Sequence, residues 1–341
     1  MSSPVDPARL ASLPILEGAT ITELAPAARR MWWREAQAGE VLLREGEPGD
    51  TFGLLVEGAV AVTRRSTRPG AGAEPHHLAD ANPGSILGEL SVLRGGLRVA
   101  TLTATAPSLL AVGDRAALDL LMSVPAVRDR LGRLASARLA RDLRPVPATL
   151  KDGTPVWIRP LLPQDRAVFR SVVAHFSQDS LRRRFFSVGT PSEATIEYLT
   201  DIDYIDHFAW VVLDATEPHE GLASARFVRT NTHDLAEVAF GTAESHHGRG
   251  LATLLLGAIG VAAVEAGVSR LVAHVLDDNV PMRAVFVKAG ATTVFEEPGV
   301  LRVTMASEAA ASVLPNATRD LLAAAVHDIV TAASLALAQP V

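Results

Sequence analysis

The sequence predicts an α+β protein of two domains, an amino-terminal β-roll with helices and a carboxyl-terminal mixed α/β sheet with helices on both faces. The chain of 341 residues is longer than one average domain, and 48% hydrophobic residues are enough to bury two cores. The pattern also changes near residue 146. Before it, short apolar runs are separated by turn residues; after it, apolar strands alternate with amphipathic helices. A stretch with three prolines, RPVPATLKDGTP, lies between the two patterns.

The amino-terminal part reads as a small roll of short strands followed by helices. Its apolar runs include GEVLLREGEPGD, TFGLLVEGAVAV, GSILGEL and RVATLTA. Residues 114–141 have helical periodicity that is interrupted at Pro125. We therefore predict a first domain over 1–145 and a linker over 146–155.

The carboxyl-terminal part reads as a mixed sheet. Strands are predicted at VWIRPL, FAWVVLDA, GLASARFVR, AEVAFGTA, RLVAHVL, TTVFEE and LRVTMA, with helices between several of them. This predicts a second domain over 156–306. In the remaining segment, 307–341, an amphipathic helix starts at an Asn316 cap, with four apolar side chains on one face: Leu322, Val326, Ile329 and Ala333. We expect this helix to belong to neither core and to be a candidate lid.

Composition excludes several classes of protein. Without cysteine the chain has no disulfide framework and no cysteine metal site, and its ten histidines show no metal-ligand spacing, so no metal is expected. Residues 151–341 carry 22 acidic and 15 basic residues, which disfavours nucleic-acid binding. No apolar run is long enough for a membrane span, and the start of the chain does not resemble a signal peptide. We expect a cytoplasmic protein without a membrane partner.

The stretch ILGELSVLRGGLRVATL, residues 86–102, combines groups that recognise a nucleotide. Glycines at 84 and 88 let backbone N–H groups face an anion, and the planar fork of Arg98 suits a phosphate. Glu89 can accept a hydrogen bond from a ribose hydroxyl. A sugar contact and a phosphate contact together indicate a nucleotide site.

This stretch resembles the phosphate-binding cassette of cyclic-nucleotide-binding domains, and GEVLLREGEPGD with LLVEGAVAV resembles the entry to their β-roll. The resemblance covers about residues 10–140. It implies that Glu89 holds the ribose 2′-hydroxyl and Arg98 the cyclic phosphate. Val99 stands where a hydroxyl is associated with cGMP, so cAMP is favoured. The implied cAMP contacts are Gly88, Glu89, Leu90, Ser91, Arg98, Val99 and Ala100.

A second glycine-rich turn, HHGRGLATLLL, follows the strand AEVAFGTA and opens a helix. Backbone N–H groups at the start of a helix bind phosphate, and Gly248 and Gly250 allow close approach because they lack side chains. Strand, turn and helix together predict a diphosphate site.

The same succession resembles the GNAT family of acetyl-CoA-dependent N-acetyltransferases over residues 155–306. The family has Gln or Arg at the first position of its signature, where this chain has His247. Asn279 and the helix after it resemble the family's second acetyl-CoA element. The resemblance implies acetyl-CoA contacts at Phe240, His247, Gly248, Arg249, Gly250, Leu251, Ala252, Thr253, Asn279 and Arg283.

The expected chemistry is amine acetylation. A lysine ammonium must lose a proton before it attacks a thioester, usually to a carboxylate. Glu237 matches the family's general base, with Glu244 on the same stretch as the alternative. A backbone N–H near Phe240 is expected to meet the developing oxyanion. Phe286 occupies the position where many GNAT enzymes have a tyrosine, so the thiolate would leave without that acid.

Residues 158–186 resemble bacterial protein lysine acetyltransferases, and the domain order resembles the cAMP-regulated members found in mycobacteria. This implies a lysine-bearing protein substrate, such as an acyl-CoA synthetase, and a gate role for His175. The acidic stretch 200–208 is either an attractor for lysine or a solvated face. A GNAT enzyme acting on a small amine and a cAMP sensor without catalysis stay open. A cAMP-responsive transcription factor is disfavoured, because the residues after the roll are acidic and α/β.

Overall fold

A computed structural model describes residues 4–65, 75–186, 189–216 and 220–337. The chain divides into two compact units, and the boundary falls after Ala135, earlier than the predicted one near 145. In the described ranges, no helix is long and apolar enough to cross a membrane.

The first unit is the predicted β-roll with helices. Within its described residues the strands form two four-stranded sheets, in the orders β1-β8-β3-β6 and β2-β7-β4-β5. The strands are β1 (Met31–Ala36), β2 (Val41–Leu43), β3 (Thr51–Glu57), β4 (Val60–Arg65), β5 (Pro75–Ala81), β6 (Ile86–Leu87), β7 (Thr101–Ala104) and β8 (Ser108–Asp114). The helices are α1 (Pro7–Ala11), α2 (Ile21–Ala28), α3 (Glu89–Arg94), α4 (Arg115–Met122) and α5 (Pro125–Asp142), with a 3-10 turn at Pro14–Leu16; α5 continues into the second unit.

Alternation of apolar side chains explains how the roll closes. Leu54 on β3 is buried in a core shared with the helices, whereas its neighbour Leu55 is buried in a second core between the sheets. Successive strand side chains point to opposite faces, so β3 is apolar on both. The roll therefore holds α3 and its flanking turns on a rigid scaffold.

The second unit is built on one eight-stranded sheet in the order β15-β16-β14-β13-β12-β11-β10-β9. Its neighbouring strands pair antiparallel except β13 and β14, which are parallel. The strands are β9 (Val146–Thr149), β10 (Pro155–Pro160), β11 (His207–Asp214), β12 (Gly221–Arg229), β13 (Leu235–Thr242), β14 (Arg270–Leu276), β15 (Thr292–Glu297) and β16 (Val300–Ala306).

Helices cover both faces of this sheet, as predicted. On one face Phe169 packs beneath the guanidinium of Arg226 at 5.2 Å; on the other, Trp210 Nε1 donates to the carbonyl of Ala258 at 2.9 Å. The helices are α6 (Arg166–Ala174), α7 (Gln178–Phe185), α8 (Glu193–Thr200), α9 (Leu251–Glu265), α10 (Val280–Val287), α11 (Ser307–Ala311) and α12 (Asn316–Leu337), with a 3-10 turn at Glu244–His246.

The structure differs from the expected linker. Residues 146–149 form the edge strand β9, which pairs with β10, and 150–154 are the turn that joins the two strands. The prolines are tolerated because an edge strand leaves one row of N–H groups without a ladder partner.

The structure also differs from the expectation that the last helix belongs to no core. The four predicted apolar side chains of α12 are buried, with no more than 1% of each exposed. Ser136 Oγ in α5 donates to the carbonyl of Ile329 at 3.0 Å, and His327 contacts Glu265 of α9 at 2.9 Å. The second unit therefore contains α12 up to Ser334. Its role as a lid stays a prediction.

Candidate functional site

A cavity of about 680 Å³ opens where strands β13 and β14 separate. The two strands pair only from Leu235 to Glu237, and the cavity is lined beyond that point by 238–242 on one side and 273–275 on the other. The volume suits a ligand of cofactor size. Separation of the strands therefore creates the site.

The separation exposes backbone groups of β13 to the cavity. The N–H of Ala243 donates to Leu222 in the neighbouring strand, and the direction of such bonds alternates along an antiparallel pair. By this alternation, the N–H of Phe240 points away from β12 and into the gap towards β14. The backbone of Phe240 therefore offers a hydrogen-bond donor to the cavity, and its role towards an oxyanion stays a prediction.

The glycine-rich turn forms the end of the cavity. Gly248 and Gly250 both have positive φ, 76° and 98°, and Gly250 caps the start of α9. A side chain at Gly248 would meet no atom within 4 Å, so the turn is open on that side. Together with the N–H groups of the first turn of α9, this arrangement fits a diphosphate.

The predicted acetyl-CoA residues divide into two groups. Arg249 and Arg283 do not line the cavity: Arg249 Nε donates to Asp152 at 2.5 Å, and Arg283 Nη1 to the carbonyl of Asp277 at 3.0 Å. The hydrogen bond from Arg249 lowers the pKa of Asp152 to about 2. The other predicted acetyl-CoA residues line the cavity: Phe240, His247, Gly248, Gly250, Leu251, Ala252, Thr253 and Asn279.

Both lysines of the chain line the cavity, which sequence reasoning did not anticipate. The stem of Lys151, in the turn between β9 and β10, lies against Gly250, and Lys288 Nζ donates to Thr253 Oγ1 at 3.1 Å. Among the described residues, neither lysine forms an ion pair with a carboxylate. Two ammonium groups thus flank the N-terminus of α9, an arrangement that an anion between them would stabilise. The feature of the sequence that could have drawn attention to these two residues is that all the other basic residues, of 32 in total, are arginines.

Glu237 lines the cavity, and its side chain is 53% exposed. Its Oε1 lies 3.2 Å from His274 Nδ1. Arg184 is close enough to interact with it; burial lowers the pKa of Arg184 to about 10, and the charge of Glu237 opposes this shift. A carboxylate is therefore placed to meet a ligand entering the cavity.

The alternative carboxylate, Glu244, has other partners. Its Oε2 accepts hydrogen bonds from Ser180 Oγ at 2.9 Å and from the N–H of Ser177 at 3.3 Å, and it does not line the cavity. Burial is the largest single influence on the pKa of Glu244 and raises it. The hydrogen bonds from Ser180 and Ser177 together outweigh burial, so the pKa is lowered. Glu244 therefore fixes the start of α7.

Two aromatic side chains close the cavity. Phe286, buried at 2% exposure, meets Phe240 edge to face at 5.8 Å. Phe176 packs over Gly241, where a Cβ would lie 2.6 Å from its ring. His175, the predicted gate, does not line the cavity: its Nδ1 lies 2.7 Å from the carbonyl of Ser171.

A second candidate site lies in the β-roll, around Arg98. This side chain is buried at 5% exposure; its Nη1 donates to the carbonyls of Thr51 at 2.7 Å and Gly88 at 3.0 Å, and its Nη2 donates to Thr51 Oγ1. Burial lowers the pKa of Arg98, and the charges of Asp50, Glu89 and Glu47 oppose the shift. The guanidinium is thus fixed at the cassette, with Thr51 as a partner that the sequence pattern did not reveal.

The rest of the cassette surrounds this guanidinium. Gly88 has φ 76° at the start of α3, and a Cβ there would lie 2.8 Å from Arg98 Nη1. Glycine is therefore required for the arginine to lie against the turn. The carbonyl of Val99 accepts from Arg64 Nε at 2.7 Å. Four further predicted residues are buried here: Glu89, Leu90, Ser91 and Ala100.

Comparison with known proteins adds two family matches. Residues 33–123 match the family described as cyclic nucleotide-binding domain, and residues 156–292 match the acetyltransferase (GNAT) domain family. The first match contains the candidate site around Arg98, and the second contains the residues of the cavity other than Lys151.

Similar proteins include the acetyltransferase Pat of Mycolicibacterium smegmatis, which is 39% identical over 297 residues, 86% of this chain and 87% of that protein. Among solved structures, a cAMP-binding acyltransferase from Mycobacterium smegmatis is 35% identical, covering 96% of this chain and 98% of that chain with a TM-score of 0.47. The GNAT domain of S. lividans PAT is 31% identical, covering 48% and 96% of the two chains with a TM-score of 0.45.

Proposed function

Because this chain belongs to the family of the acetyltransferase Pat and carries a cyclic nucleotide-binding domain ahead of a GNAT domain, we propose that it is a cAMP-regulated enzyme that acetylates lysine side chains of proteins. The observation that carries the proposal is that one cavity is lined both by Glu237, the last residue of β13 paired with β14, and by Phe240, which lies beyond the point where the two strands separate.

Acetyl-CoA fits the cavity by its shape and by the groups that line it. The Gly248–Gly250 turn and the first turn of α9 supply N–H groups for the diphosphate, and Lys151 and Lys288 supply positive charge beside them. Acetyl-CoA brings a thioester carbonyl that an amine can attack. The N–H of Phe240 donates to the carbonyl oxygen as negative charge develops on it.

Glu237 acts as the general base. At pH 7.4 about one lysine in a thousand is neutral, a handicap of about 4 kcal/mol for attack by the free amine. A carboxylate at the amine lowers the barrier because it accepts the proton within the active site as the nitrogen attacks. Attack of the neutral amine on the thioester carbon forms the C–N bond, the C–S bond breaks to release the thiolate of CoA, and the nitrogen loses its second proton to water as the amide forms. Phe286 cannot protonate the thiolate, but a thiol with a pKa near 8.5 is a good leaving group.

The amino-terminal site binds cAMP. The fork of Arg98 pairs with the cyclic phosphate, and Glu89 accepts a hydrogen bond from the ribose hydroxyl. Backbone groups of Leu90 and Ser91 complete the contacts. Binding alters acetyl transfer by the difference in its affinity for the active and inactive states.

The acceptor is a lysine of a protein, with the reactive lysine of an acyl-CoA synthetase as the first candidate. The half-exposed Glu237 supports an acceptor that enters from solvent. The gate role of His175 and the cytoplasmic location stay predictions.

One experiment tests the acetyl transfer, the protein substrate and the regulation by cAMP together. Acetyl transfer from radiolabelled acetyl-CoA is measured to an acyl-CoA synthetase, to its variant without the reactive lysine and to a small amine, each with and without cAMP. We expect labelling of the intact synthetase that changes with cAMP, and no response to cAMP in the full-length Arg98→Ala variant. Labelling of the small amine alone would contradict the protein substrate, and equal rates with and without cAMP would contradict the regulation.

A further inference from the structure

His274 connects two carboxylates on the face of the sheet that carries the cavity. Its Nδ1 lies 3.2 Å from Glu237 Oε1, and its Nε2 lies 2.9 Å from Glu296 Oε2. Glu237 on β13 and His274 on β14 face the same side, because Glu237 pairs with Val272 and side chains alternate along a strand. The three groups form a chain that runs from the cavity to the strand β15 at the edge of the sheet.

The donors and acceptors of this chain constrain where its protons lie. A neutral imidazole has one N–H and one lone pair, whereas an ionised carboxylate only accepts. With carboxylates at both ring nitrogens, the set is complete only when it holds one extra proton, either on the imidazole or on a carboxylate. The geometry therefore leaves room for one more proton in the set formed by Glu237, His274 and Glu296.

We propose that His274 is a positioning and proton-accepting residue behind Glu237, and that Glu296 orients its ring. The inference rests on the proposed acetyl transfer. Before reaction, the imidazole is neutral and donates Nε2–H to Glu296. Glu237 takes a proton from the lysine ammonium and passes it to Nδ1, which leaves a neutral amine, two carboxylates and an imidazolium. The imidazolium afterwards loses one proton to water, which restores the neutral ring.

The surroundings suit this role. The side chain of His274 is 32% exposed, so water can reach it, and Arg302 Nε lies 3.9 Å from Glu296 Oε1 on the far side. The charged groups facing the chain are Arg302 at Glu296 and Arg184 at Glu237. A metal is not the reason for the cluster: within the described ranges no group of His, Asp and Glu side chains could hold a metal ion.

The pH profile of the rate distinguishes proton transfer from a merely structural contact. In wild type, activity should fall at low pH as the imidazole becomes protonated before the substrate binds. In His274→Gln, the amide can still hydrogen-bond but cannot accept the proton. We expect kcat to fall about ten- to a hundredfold. The acidic limb should also move to lower pH, because a carboxylate remains as the proton acceptor when the imidazole is absent.

His327→Gln is the matched control, because it breaks a His–Glu contact of 2.9 Å, with Glu265, outside the cavity. It should keep both the rate and the profile of wild type. In His274→Ala, added imidazole should restore part of the rate, with the enzyme saturated with acetyl-CoA and its fold checked by circular dichroism.

The profiles are measured with both a protein lysine and a small amine as acceptors. Transfer to the amine alone would contradict the proposed substrate, while the His274 comparison would still be made on the amine. A His274→Gln variant with the wild-type limb, whether or not its rate is lower, would overturn the proton-transfer role. Absence of rescue by imidazole in a folded His274→Ala variant would do the same.

Discussion

Replacement of Glu237 by glutamine removes a base from the cavity and changes little else. The amide has nearly the same shape, and its NH2 group can donate a hydrogen bond to His274 Nδ1, which lies 3.2 Å from Glu237 Oε1 in the wild type. The side chain is 53% exposed, so the free energy of unfolding should change by less than about 0.5 kcal/mol. Any large loss of activity therefore reports on chemistry rather than on folding.

The size of the loss follows from the nucleophile. Without the base, the variant depends on the neutral lysine present in solution, about one in a thousand at pH 7.4, which sets the handicap near 4 kcal/mol. We expect kcat/KM at pH 7.4 to fall by about 10² to 10³, within the usual contribution of a general base. Acetyl-CoA affinity should stay unchanged, because Glu237 contacts neither the glycine turn nor the lysines.

To test this, initial rates of acetyl transfer are measured between pH 6.5 and 9.5, and the affinity for acetyl-CoA is measured by calorimetry. The rate of Glu237→Gln should rise about tenfold for each pH unit, because solution now removes the proton. Glu244→Gln is the matched control: the same change on the same stretch, outside the cavity, should keep near-normal activity. A Glu237→Gln enzyme with normal turnover at pH 7.4, or an equal loss in Glu244→Gln, would refute the assignment.

Three further predictions concern the rest of the molecule. Arg98→Ala should weaken cAMP binding at least a hundredfold by calorimetry while Arg94→Ala, an exposed change in the same cassette, does not; equal affinities would remove Arg98 from the site. Lys151→Met and Lys288→Met should each raise KM for acetyl-CoA about five- to twentyfold but leave KM for S-acetylpantetheine, which lacks the phosphates, unchanged; equal changes for both donors would contradict phosphate binding. Burial, helped by the charge of Arg226, lowers the pKa of His207 to about 4. The unfolded chain therefore takes up a proton that the folded one does not, and the free energy of unfolding should fall by up to about 3 kcal/mol as pH decreases from about 6.5 to 4. Denaturant unfolding should show this slope in wild type and a flatter one in His207→Gln.

Local patterns determined much of the fold and both site locations. Turn spacing and strand periodicity predicted the roll and the mixed sheet. Both the alternation of apolar and polar residues in a strand and the 3.6-residue period of a helix depend on residues that are close together in the sequence. Gly88 with Arg98, and Gly248 with Gly250, indicated the two candidate sites, because each motif lies within one short stretch of the chain. The apolar face of α12 was also predicted correctly, residue by residue.

Only the tertiary structure decided what lies opposite those residues. Pairing with the next strand, β10, makes 146–149 an edge strand rather than part of a linker, and the turn between the two strands lies against Gly250 through Lys151. The tertiary structure also turns Arg249 away from the cavity to Asp152 and places His274 between Glu237 and Glu296. The contacts of Lys151, Arg249 and His274 join residues 22 to 99 positions apart in the chain, and no periodicity in the sequence encodes such a distance. The physical reason is that a motif fixes its own backbone, whereas the partners of its side chains depend on which strands become neighbours in the sheet.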